Sequence, residues 1–513
     1  MRCQCALNGR TVSVTLAMKL WHSALPVAAM FRATVVAALL VGCTAEPSAD
    51  IVVSVDATGT IGTIGTRLGT QFVWPGSLDR AEGTRARFDA LAAPLVRINA
   101  TTFGPAPVLP AGIVRGDWDF ASLDSIVSDI RGAGGQVVLA VAYAPEWLWN
   151  CDTGAVRDTT FAEFGDYMAR LVAYYNRGSL LAENGRQIVN PAGTANRIDY
   201  WELWNEPDQL KGCPPAGNRI SPAAYVAMWN GTVPRMLAID PTIKLIGPAV
   251  AQAATTSVPD YIPALMESAV RKPDAISFHG YGGWLNSQTD RFLFDGANGR
   301  FGLEAIVRGV ASVKALAPGI PIWITEVNVN SAWDHEDVTG RPWSAFGAAW
   351  GASAFRRLAL AGADVVFQYQ FAHPDLRQFS LVDARTGLPL LAYWRDYYLA
   401  RYFPPGSLLL ASSSNRAGVE SLAVRPPGSS DVHVLVVNRQ VDSESAVGGD
   451  GRGAVVRVSV TNVPRSRGVT VRMIDAATPL DTGPSAVRLP KEDAVMLTFS
   501  GYGAALLELV GES

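Results

Sequence analysis

The 513-residue sequence contains little of what several common classes of protein require. It has five cysteines, and Cys3, Cys5 and Cys43 lie close to the N-terminus, so a small fold held together by many disulfides is excluded. It has five histidines and no Cys/His spacing typical of a zinc site. A formal net charge of −3 provides no basic surface for nucleic acid or an anionic membrane. The sequence also contains no glycine-rich phosphate loop and no serine nucleophile elbow.

Long hydrophobic runs are absent as well, so no transmembrane helix is predicted. The apolar run Ala33–Val41 follows the basic start Met30–Arg32, and this order is typical of an export signal. The run ends in Leu-Val-Gly-Cys at Leu40–Cys43, which resembles the bacterial lipobox, whose cysteine is acylated and becomes the first residue of the mature protein. We therefore expect residues 1–49 to be a leader and tether, and the protein to be exported and lipid-anchored at the cell surface or periplasmic face. A plain secretory signal is the alternative.

Two cysteines remain in the body of the chain, Cys151 and Cys213. Both follow predicted strands, so both could lie on the same rim of a barrel. Export to an oxidising compartment favours a disulfide between them. Two free thiols are the alternative.

The feature that the sequence does have is a regular alternation of short apolar strands and amphipathic helical segments from about residue 66. Helix starts are indicated by Ser221-Pro222, an N-cap followed by proline, and by the capping box at Thr160–Glu163. Eight strands in sequence predict an α/β fold, a (β/α)8 barrel over residues 66–397, with its active site at the carboxyl ends of the strands. The predicted strands are Leu68–Val73, Leu95–Ile98, Val137–Ala142, Asp199–Leu203, Lys244–Gly247, Ala275–Phe278, Ile322–Thr325 and Val365–Tyr369.

After about residue 398 the pattern changes to strands with alternating apolar and polar residues, separated by turns. This pattern predicts a small antiparallel β-sandwich over residues 398–513. The early segment Ile51–Asp56 alternates in the same way. We therefore expect residues 50–65 to add a strand to that sandwich.

Two glutamates stand where buried strands meet loops. Glu206 follows the fourth predicted strand in Trp204–Pro207, and Glu326 follows the seventh in Trp323–Glu326. Retaining cleavage of a glycosidic bond needs one carboxyl group to protonate the leaving oxygen and a second to attack the anomeric carbon. A single glutamate after a strand would be read as a surface or capping residue, whereas a pair at one barrel mouth indicates catalysis. Asn205 is placed to hydrogen-bond the sugar 2-hydroxyl.

The barrel region resembles the clan A glycoside hydrolases, whose catalytic glutamates lie on strands four and seven. The resemblance implies that Glu206 is the acid/base and Glu326 the nucleophile. It also implies that Arg97, on the second strand, orients the nucleophile and keeps it ionised. His279 and Tyr281 match the His-x-Tyr motif that lies beside the nucleophile on strand six.

Within the clan, the chain is most similar to glycoside hydrolase family 39, which includes β-xylosidases and α-L-iduronidases. The motif Gly116–Phe120 before a helix, the Val-Arg-Ile strand and the C-terminal β-sandwich carry this likeness. The stretch Glu326–Asn330 matches no known specificity. The likeness to family 39 implies that xyloside-like oligosaccharides or polysaccharides are the substrates.

Three aromatic residues complete the predicted substrate-binding set. Trp147 and Trp149 follow the third predicted strand and could stack on a sugar ring, with ordinary packing as the alternative. Tyr369 ends the eighth predicted strand, and we expect it to contribute to the pocket floor.

The sequence thus predicts a retaining glycosidase acting on a carbohydrate, with no cofactor and no metal. It indicates no nucleic-acid partner, no membrane contact except through the lipid anchor, and no particular oligomeric state. An endo-acting hydrolase of an exopolysaccharide or cell-wall glycan is one alternative. The other is a non-catalytic carbohydrate-binding lipoprotein, although such a protein would be expected to have lost a catalytic glutamate.

Overall fold

A computed structural model describes residues 4–7, 10–13, 51–71, 76–100, 115–141, 149–150, 155–209, 219–251, 257–296, 301–332, 335–463, 466–490 and 494–511. The chain divides into two compact units, Met1–Ser48 and Ala49–Ser513. The first unit contains two short antiparallel strands, Gln4–Leu7 and Arg10–Ser13. The second contains a barrel and a large sheet. Among the described helices, none has the length and apolar character needed to span a bilayer.

The predicted (β/α)8 barrel is confirmed. Its eight parallel strands close in chain order, with the eighth hydrogen-bonded to the first. We number them as barrel strands one to eight: Arg67–Gln71, Leu95–Ala100, Gln136–Val141, Tyr200–Leu203, Lys244–Val250, Ala275–Gly283, Ile322–Asn330 and Val365–Gln368. Inward-facing apolar side chains fill the lower end of the barrel, so it is a packed core below the site. They are Leu95, Val138, Ile246, Ala275, Trp323, Val365 and Phe367.

Strands six and seven extend several residues beyond their predicted ends, to Gly283 and Asn330. Their pairing sets His279 opposite Glu326 and Tyr281 opposite Asn328. These extensions carry polar side chains, and polar residues of this kind are predicted from the sequence to be loop. The register therefore builds a polar wall at the carboxyl end of the barrel.

Nine α-helices are described, and most of them surround the barrel. They are α1 Thr84–Leu91, α2 Ala121–Gly132, α3 Ala162–Arg177, α4 Pro222–Ile239, α5 Ser257–Ser268, α6 Asp290–Asp295, α7 Gly302–Leu316, α8 Ala345–Ala361 and α9 Leu391–Tyr402. Short elements complete the described structure: strand pairs Trp149–Asn150 with Ala155–Val156 and Ser179–Leu181 with Gln187–Val189, and 3-10 turns Ser77–Asp79, Arg341–Trp343 and Arg377–Phe379.

Both predicted helices begin where expected, at Pro222 and, within Thr160–Glu163, at Ala162, but the predicted capping residue is confirmed only for the first. The Ser221 hydroxyl accepts a hydrogen bond from the Ala224 amide at 3.2 Å, and Pro222 is the first residue of α4. At α3 the amide of Glu163 instead donates to Asp158 Oδ2 at 3.0 Å. Asp158, two residues before Thr160, therefore caps the helix. The capping box had assigned that role to Thr160.

The remaining strands form one nine-stranded sheet. In hydrogen-bonded order they are Val487–Leu489, Ser466–Ile474, Gly503–Gly511, Val432–Asn438, Val419–Arg425, Ser407–Ser414, Ile51–Ile64, Ala454–Thr461 and Ala494–Phe499. Ile51–Ile64 pairs with Ser407–Ser414 and, in parallel, with Ala454–Thr461, so the sheet is not purely antiparallel. Helices α8 and α9 pack on one face. The opposite face buries a second apolar cluster, which is covered by the sheet folding over on itself.

Glu420, on the sheet strand Val419–Arg425, joins the sheet to α8. Its Oε1 accepts from Arg357 Nη2 at 2.8 Å and from Arg439 Nε at 2.6 Å, and its Oε2 accepts from Ser353 Oγ at 2.7 Å. Burial alone would raise the pKa of this carboxyl group, but the charges of Arg439, Arg357 and Arg356 outweigh burial and hold the pKa below its usual value. Glu420 is therefore a buried anion on which the barrel–sheet contact depends.

Glu420→Gln is expected to destabilise the protein by about 3–5 kcal/mol at neutral pH, because it leaves buried arginines without their counterion. The folded-state pKa lies below the unfolded value of about 4.3, so this stabilisation is present above about pH 4.3 and disappears as the pH falls through the folded-state pKa. Urea denaturation of both proteins at several pH values measures the difference. The exposed Glu444, paired with Arg291, supplies the control Glu444→Gln, for which we expect a change within about 1 kcal/mol. An equal effect of the two variants would contradict the assignment.

Candidate active site

Glu206 is presented by a tight turn directly after barrel strand four. Trp204 and Glu206 both have left-handed backbone φ angles, of 68° and 50°. Such conformations cost about 1–3 kcal/mol each in residues other than glycine, and they concentrate at functional sites. The Glu206 amide donates to the carbonyl of Ala249 on strand five at 2.9 Å, which fixes the turn. The turn aims the carboxyl group into the barrel mouth, with 18% of the side chain exposed.

Glu326 lies within strand seven and is more deeply buried than Glu206, with 7% of its side chain exposed. Its Oε1 accepts from Arg97 Nη1 at 2.9 Å, and its Oε2 accepts from the Tyr281 hydroxyl at 2.5 Å. Burial and the charge of Glu326 raise the pKa of Tyr281 well above its usual value, so the hydroxyl keeps the proton that it donates. Both oxygens of Glu326 are thus held by hydrogen-bond donors.

His279 connects the two glutamates. Its Nδ1 lies 3.0 Å from Glu206 Oε1 and 3.4 Å from Glu326 Oε2. One oxygen of each glutamate and a ring nitrogen of His279 lie within 4.8 Å of one another. This spacing fits the roughly 5–5.5 Å between the carboxyl groups of retaining glycosidases and is shorter than the roughly 6.5–9.5 Å of inverting ones.

Arg97 forms the floor of the site and is fully buried. Its Nε pairs with Glu202 Oε2 at 2.5 Å, and its Nη1 also donates to Gln71 Oε1 at 2.8 Å. Its Nη2 donates to Asn205 Oδ1 at 2.7 Å. Burial alone would lower the pKa of Arg97, but the charges of Glu202 and Glu326 outweigh it and raise the pKa. The guanidinium therefore stays charged and orients the nucleophile candidate and Asn205 together.

Glu202 and Gln71 were not predicted from the sequence as site residues. Glu202 stands in the middle of an apolar strand and is fully buried. A charge inside a strand that is buried on both faces needs a buried counterion. The same argument applied to Arg97 in Val96-Arg97-Ile98 would have paired the two residues, since strands two and four are near neighbours in the barrel.

Tyr369 lies against the wall of the site. It is buried directly after strand eight, and its ring packs edge-on against Tyr281, with 6.0 Å between centroids. Asn328 donates to the Tyr369 carbonyl and, at 3.2 Å, to the carbonyl of Gln378. The unmatched stretch after Glu326 thus continues strand seven and holds the end of strand eight in place.

Several predicted residues lie outside the described residues. These are Trp147, Cys151, Cys213 and Cys43, and the side chain of Trp149. Their predicted roles in sugar stacking, disulfide formation and lipidation remain predictions. The described part of the site consists of Arg97, Asn205, Glu206, His279, Tyr281, Glu326 and Tyr369, with Gln71 and Glu202 beneath them.

The Glu206–His279–Glu326 cluster has the donor types and the spacing of a metal site. However, both oxygens of Glu326 already accept hydrogen bonds, from Arg97 and from Tyr281. A cationic guanidinium 2.9 Å from a ligand oxygen opposes a divalent cation there. The arrangement therefore favours direct acid/base and nucleophilic chemistry over metal binding.

Glu202→Gln is expected to lower kcat by about 100-fold with little change in KM, because Arg97 loses its anchor and displaces the groups that it orients. The matched control is Glu304→Gln, which removes a half-exposed carboxylate that pairs with Arg357. Steady-state kinetics of both variants, with near-ultraviolet circular dichroism as the check on folding, measure the effect. A folded Glu202→Gln protein with kcat within twofold of wild type would show that Arg97 needs no anchor.

The comparisons with known proteins agree with this geometry. Residues 182–341 match a family model described as glycosyl hydrolase catalytic core. No curated protein matches the sequence. Among solved structures, a monomeric β-xylosidase from Caulobacter crescentus CB15 superposes with a TM-score of 0.63 at 17% identity, covering 90% of this chain and 100% of that chain.

Two further structures extend the likeness. The GH39 enzyme from Xanthomonas axonopodis pv. citri has a TM-score of 0.63 at 16% identity, covering 90% of this chain and 97% of that chain. A glycoside hydrolase family 30 subfamily 8 xylanase from Clostridium acetobutylicum has a TM-score of 0.57 at 14% identity, covering 90% of this chain and 99% of that chain. These matches bear out the predicted resemblance to glycoside hydrolases, and the chain shares its fold with an enzyme described as GH39.

Proposed function

We propose that the protein is a retaining glycoside hydrolase that cleaves O-glycosidic bonds through a glycosyl-enzyme. The observation that carries the proposal is the pair of glutamates at one barrel mouth, linked by His279 and separated by the short distance that double displacement needs. Their environments differ: Glu326 is 7% exposed and is held by Arg97 and Tyr281, whereas Glu206 is 18% exposed and contacts His279. This difference supports an ionised nucleophile and a proton-carrying acid.

In the first step, an oxygen of Glu326 forms a bond to the anomeric carbon while the bond to the leaving oxygen breaks. Glu206 gives its proton to that oxygen, and the leaving group departs as a neutral alcohol. The Oδ1 of Asn205 is engaged by Arg97, so its amide nitrogen is the atom available to donate to a sugar hydroxyl. This donation would strengthen as charge develops on the sugar.

In the second step, Glu206 is a carboxylate and acts as the base. It takes a proton from water, whose oxygen bonds to the anomeric carbon as the ester bond to Glu326 breaks. Glu326 leaves as a carboxylate, again held by Arg97 and Tyr281, and Glu206 again carries a proton. The two inversions give net retention of configuration.

Xyloside-like oligosaccharides and polysaccharides are the proposed substrates. Support comes from the structural neighbours, which are described as a β-xylosidase and a xylanase. A panel of nitrophenyl glycosides and polysaccharides tests the proposal directly. Release of nitrophenol from xylosides supports exo action, release of oligosaccharides from xylan supports the endo alternative, and cleavage of no glycoside by the folded protein would contradict the proposed function.

A non-catalytic carbohydrate-binding protein is the rival from another class. Such a protein needs neither two carboxylates within bonding distance of one sugar carbon nor a buried arginine to hold one of them ionised. Here both carboxylates are kept, and six buried or nearly buried groups contact Glu326 or its arginine. This arrangement supports catalysis.

We also propose that the protein is exported and anchored to a membrane by lipid on Cys43. The support is the Leu-Val-Gly-Cys motif at Leu40–Cys43 after a short apolar run. Cys43→Ser is expected to abolish incorporation of labelled palmitate and to move the protein from the membrane to the soluble fraction of an expressing bacterium. Cys5→Ser is the matched control and should change neither. Unaltered labelling of the Cys43 variant would refute the anchor.

A further inference from the structure

We propose that Asp431, His433 and Glu508 form a binding site for a first-row divalent cation such as zinc, at the junction of the sheet and the barrel. The site is separate from the catalytic cluster and independent of the proposed function. One carboxylate oxygen from each acidic residue and one imidazole nitrogen lie within 4.8 Å of one another.

The sheet register brings the three residues together. Asp431 and His433 are two positions apart, so their side chains share one face of the sheet. His433 is directly opposite Glu508 on the neighbouring strand Gly503–Gly511. This face is the one turned to the barrel, since Leu435 and Val437, further along the His433 face, belong to the same apolar cluster as the α9 residue Tyr402.

The imidazole of His433 is oriented as a metal ligand requires. Its Nδ1 lies 2.7 Å from the carbonyl oxygen of Tyr402. Because a carbonyl oxygen only accepts, Nδ1 carries the proton, and the neutral ring keeps a lone pair on Nε2. In metal-binding histidines, the ring nitrogen that does not bind the metal usually donates a hydrogen bond to a carboxylate, a backbone carbonyl or water.

The second observation is that Nε2 is buried and makes no hydrogen bond, although His433 is only 7% exposed. Glu508 Oε1 is 3.8 Å from Nε2, which is too long for a hydrogen bond. An unpartnered buried polar atom is uncommon and costly. Since Nε2 faces Glu508, an ion bound by both would satisfy it.

The spacing and the donor types indicate the class of ion. Tetrahedral zinc ligands at about 2.0–2.2 Å from the metal lie about 3.3 Å apart, so small side-chain movements would complete the coordination. Glu508 is one-third exposed and free to make such a movement. An imidazole donor favours zinc and its neighbours over magnesium and calcium, which prefer oxygen ligands alone. Water would fill the remaining position.

Arg472, on the neighbouring strand Ser466–Ile474, lies on the same face of the sheet as Glu508. Its guanidinium donates to the Tyr402 hydroxyl and lies over the Tyr398 ring, 5.3 Å from the centroid. It therefore contacts an aromatic pair instead of the two carboxylates.

The test is zinc binding measured by equilibrium dialysis on the full-length protein in a Glu326→Gln background, which removes the catalytic cluster as a competing site. One zinc ion per chain is expected at micromolar free zinc. Glu508→Gln and Asp431→Asn are each expected to weaken binding by at least about tenfold, as loss of a ligand does. Glu444→Gln, which removes an exposed carboxylate elsewhere, is the control and should have no effect.

A second readout keeps the test decisive if His433→Gln fails to fold. Cobalt(II) bound at this site should give visible ligand-field absorption that the Glu508→Gln protein lacks, and a large excess of magnesium should not displace it. The inference is overturned if the dialysed protein binds no zinc, if both carboxylate variants bind zinc as the parent does, or if magnesium competes equally. Catalytic activity is not a readout here, so a failure of this inference leaves the proposed function untouched.

Discussion

Glu326→Ala is expected to lower kcat by at least about 10⁴-fold on any glycoside substrate, whatever its leaving group. The substitution removes the only described carboxylate that both Arg97 and Tyr281 hold in place, and with it the atom that bonds to the anomeric carbon. Steady-state kinetics with an activated aryl glycoside measure the loss. Glu336→Ala, which removes a partly exposed carboxylate in the loop after strand seven, is the matched control and should stay within about twofold of wild type.

A chemical rescue separates a lost nucleophile from a damaged fold. Azide is a small anion that can enter the space left by the truncated side chain and attack the anomeric carbon directly. We expect azide to restore turnover of a glycosyl fluoride by Glu326→Ala, with a glycosyl azide of inverted configuration as the product. Near wild-type rates without azide would show that Glu326 is not the nucleophile.

Glu206→Ala is expected to lower kcat by about 10²–10⁴-fold, with a loss that depends on the leaving group. A poor leaving group, such as an alkyl alcohol or a sugar, needs a proton in the first step, whereas dinitrophenolate does not. The variant should therefore form the glycosyl-enzyme quickly from a dinitrophenyl glycoside and release it slowly, giving a burst of dinitrophenol. Glu336→Ala again serves as the control.

Azide also tests this second assignment, with the opposite stereochemical outcome. Azide needs no general base, so it should speed release of the sugar from the Glu206→Ala glycosyl-enzyme. Because it attacks a covalent intermediate, the glycosyl azide should retain the configuration of the substrate. A loss of rate that is the same for all leaving groups would contradict the acid/base role.

The positions of the eight barrel strands could be predicted from the sequence because each is a short apolar run with both faces buried. The upper ends of strands six and seven could not. His279, Tyr281, Asn328 and Asn330 are polar, yet they remain in the strands because the pairing of strands six and seven continues through them. A sequence-based prediction therefore assigns these polar residues to loops, although the hydrogen bonds between the two strands continue through them.

The meeting of Glu206 and Glu326 at one barrel mouth could be predicted, but the residues beneath them could not. Glu206 and Glu326 each stand at a strand end in a recognisable motif, whereas Glu202 and Gln71 become meaningful only through Arg97, from which they are distant in sequence. The sheet shows the same limit. Its alternating strands were found, but the parallel pairing of Ile51–Ile64 with Ala454–Thr461 depends on contacts 400 residues apart, which no local pattern encodes.

The stereochemistry of cleavage tests the central claim most directly. One oxygen of Glu206 and one of Glu326 lie within 4.8 Å of each other, which fits the separation of the carboxyl groups in retaining enzymes and is shorter than that in inverting ones. Proton NMR recorded in the first minutes of hydrolysis identifies the anomer that is released before mutarotation. The structure predicts the anomer of the substrate; release of the opposite anomer would contradict double displacement and the roles assigned to both glutamates.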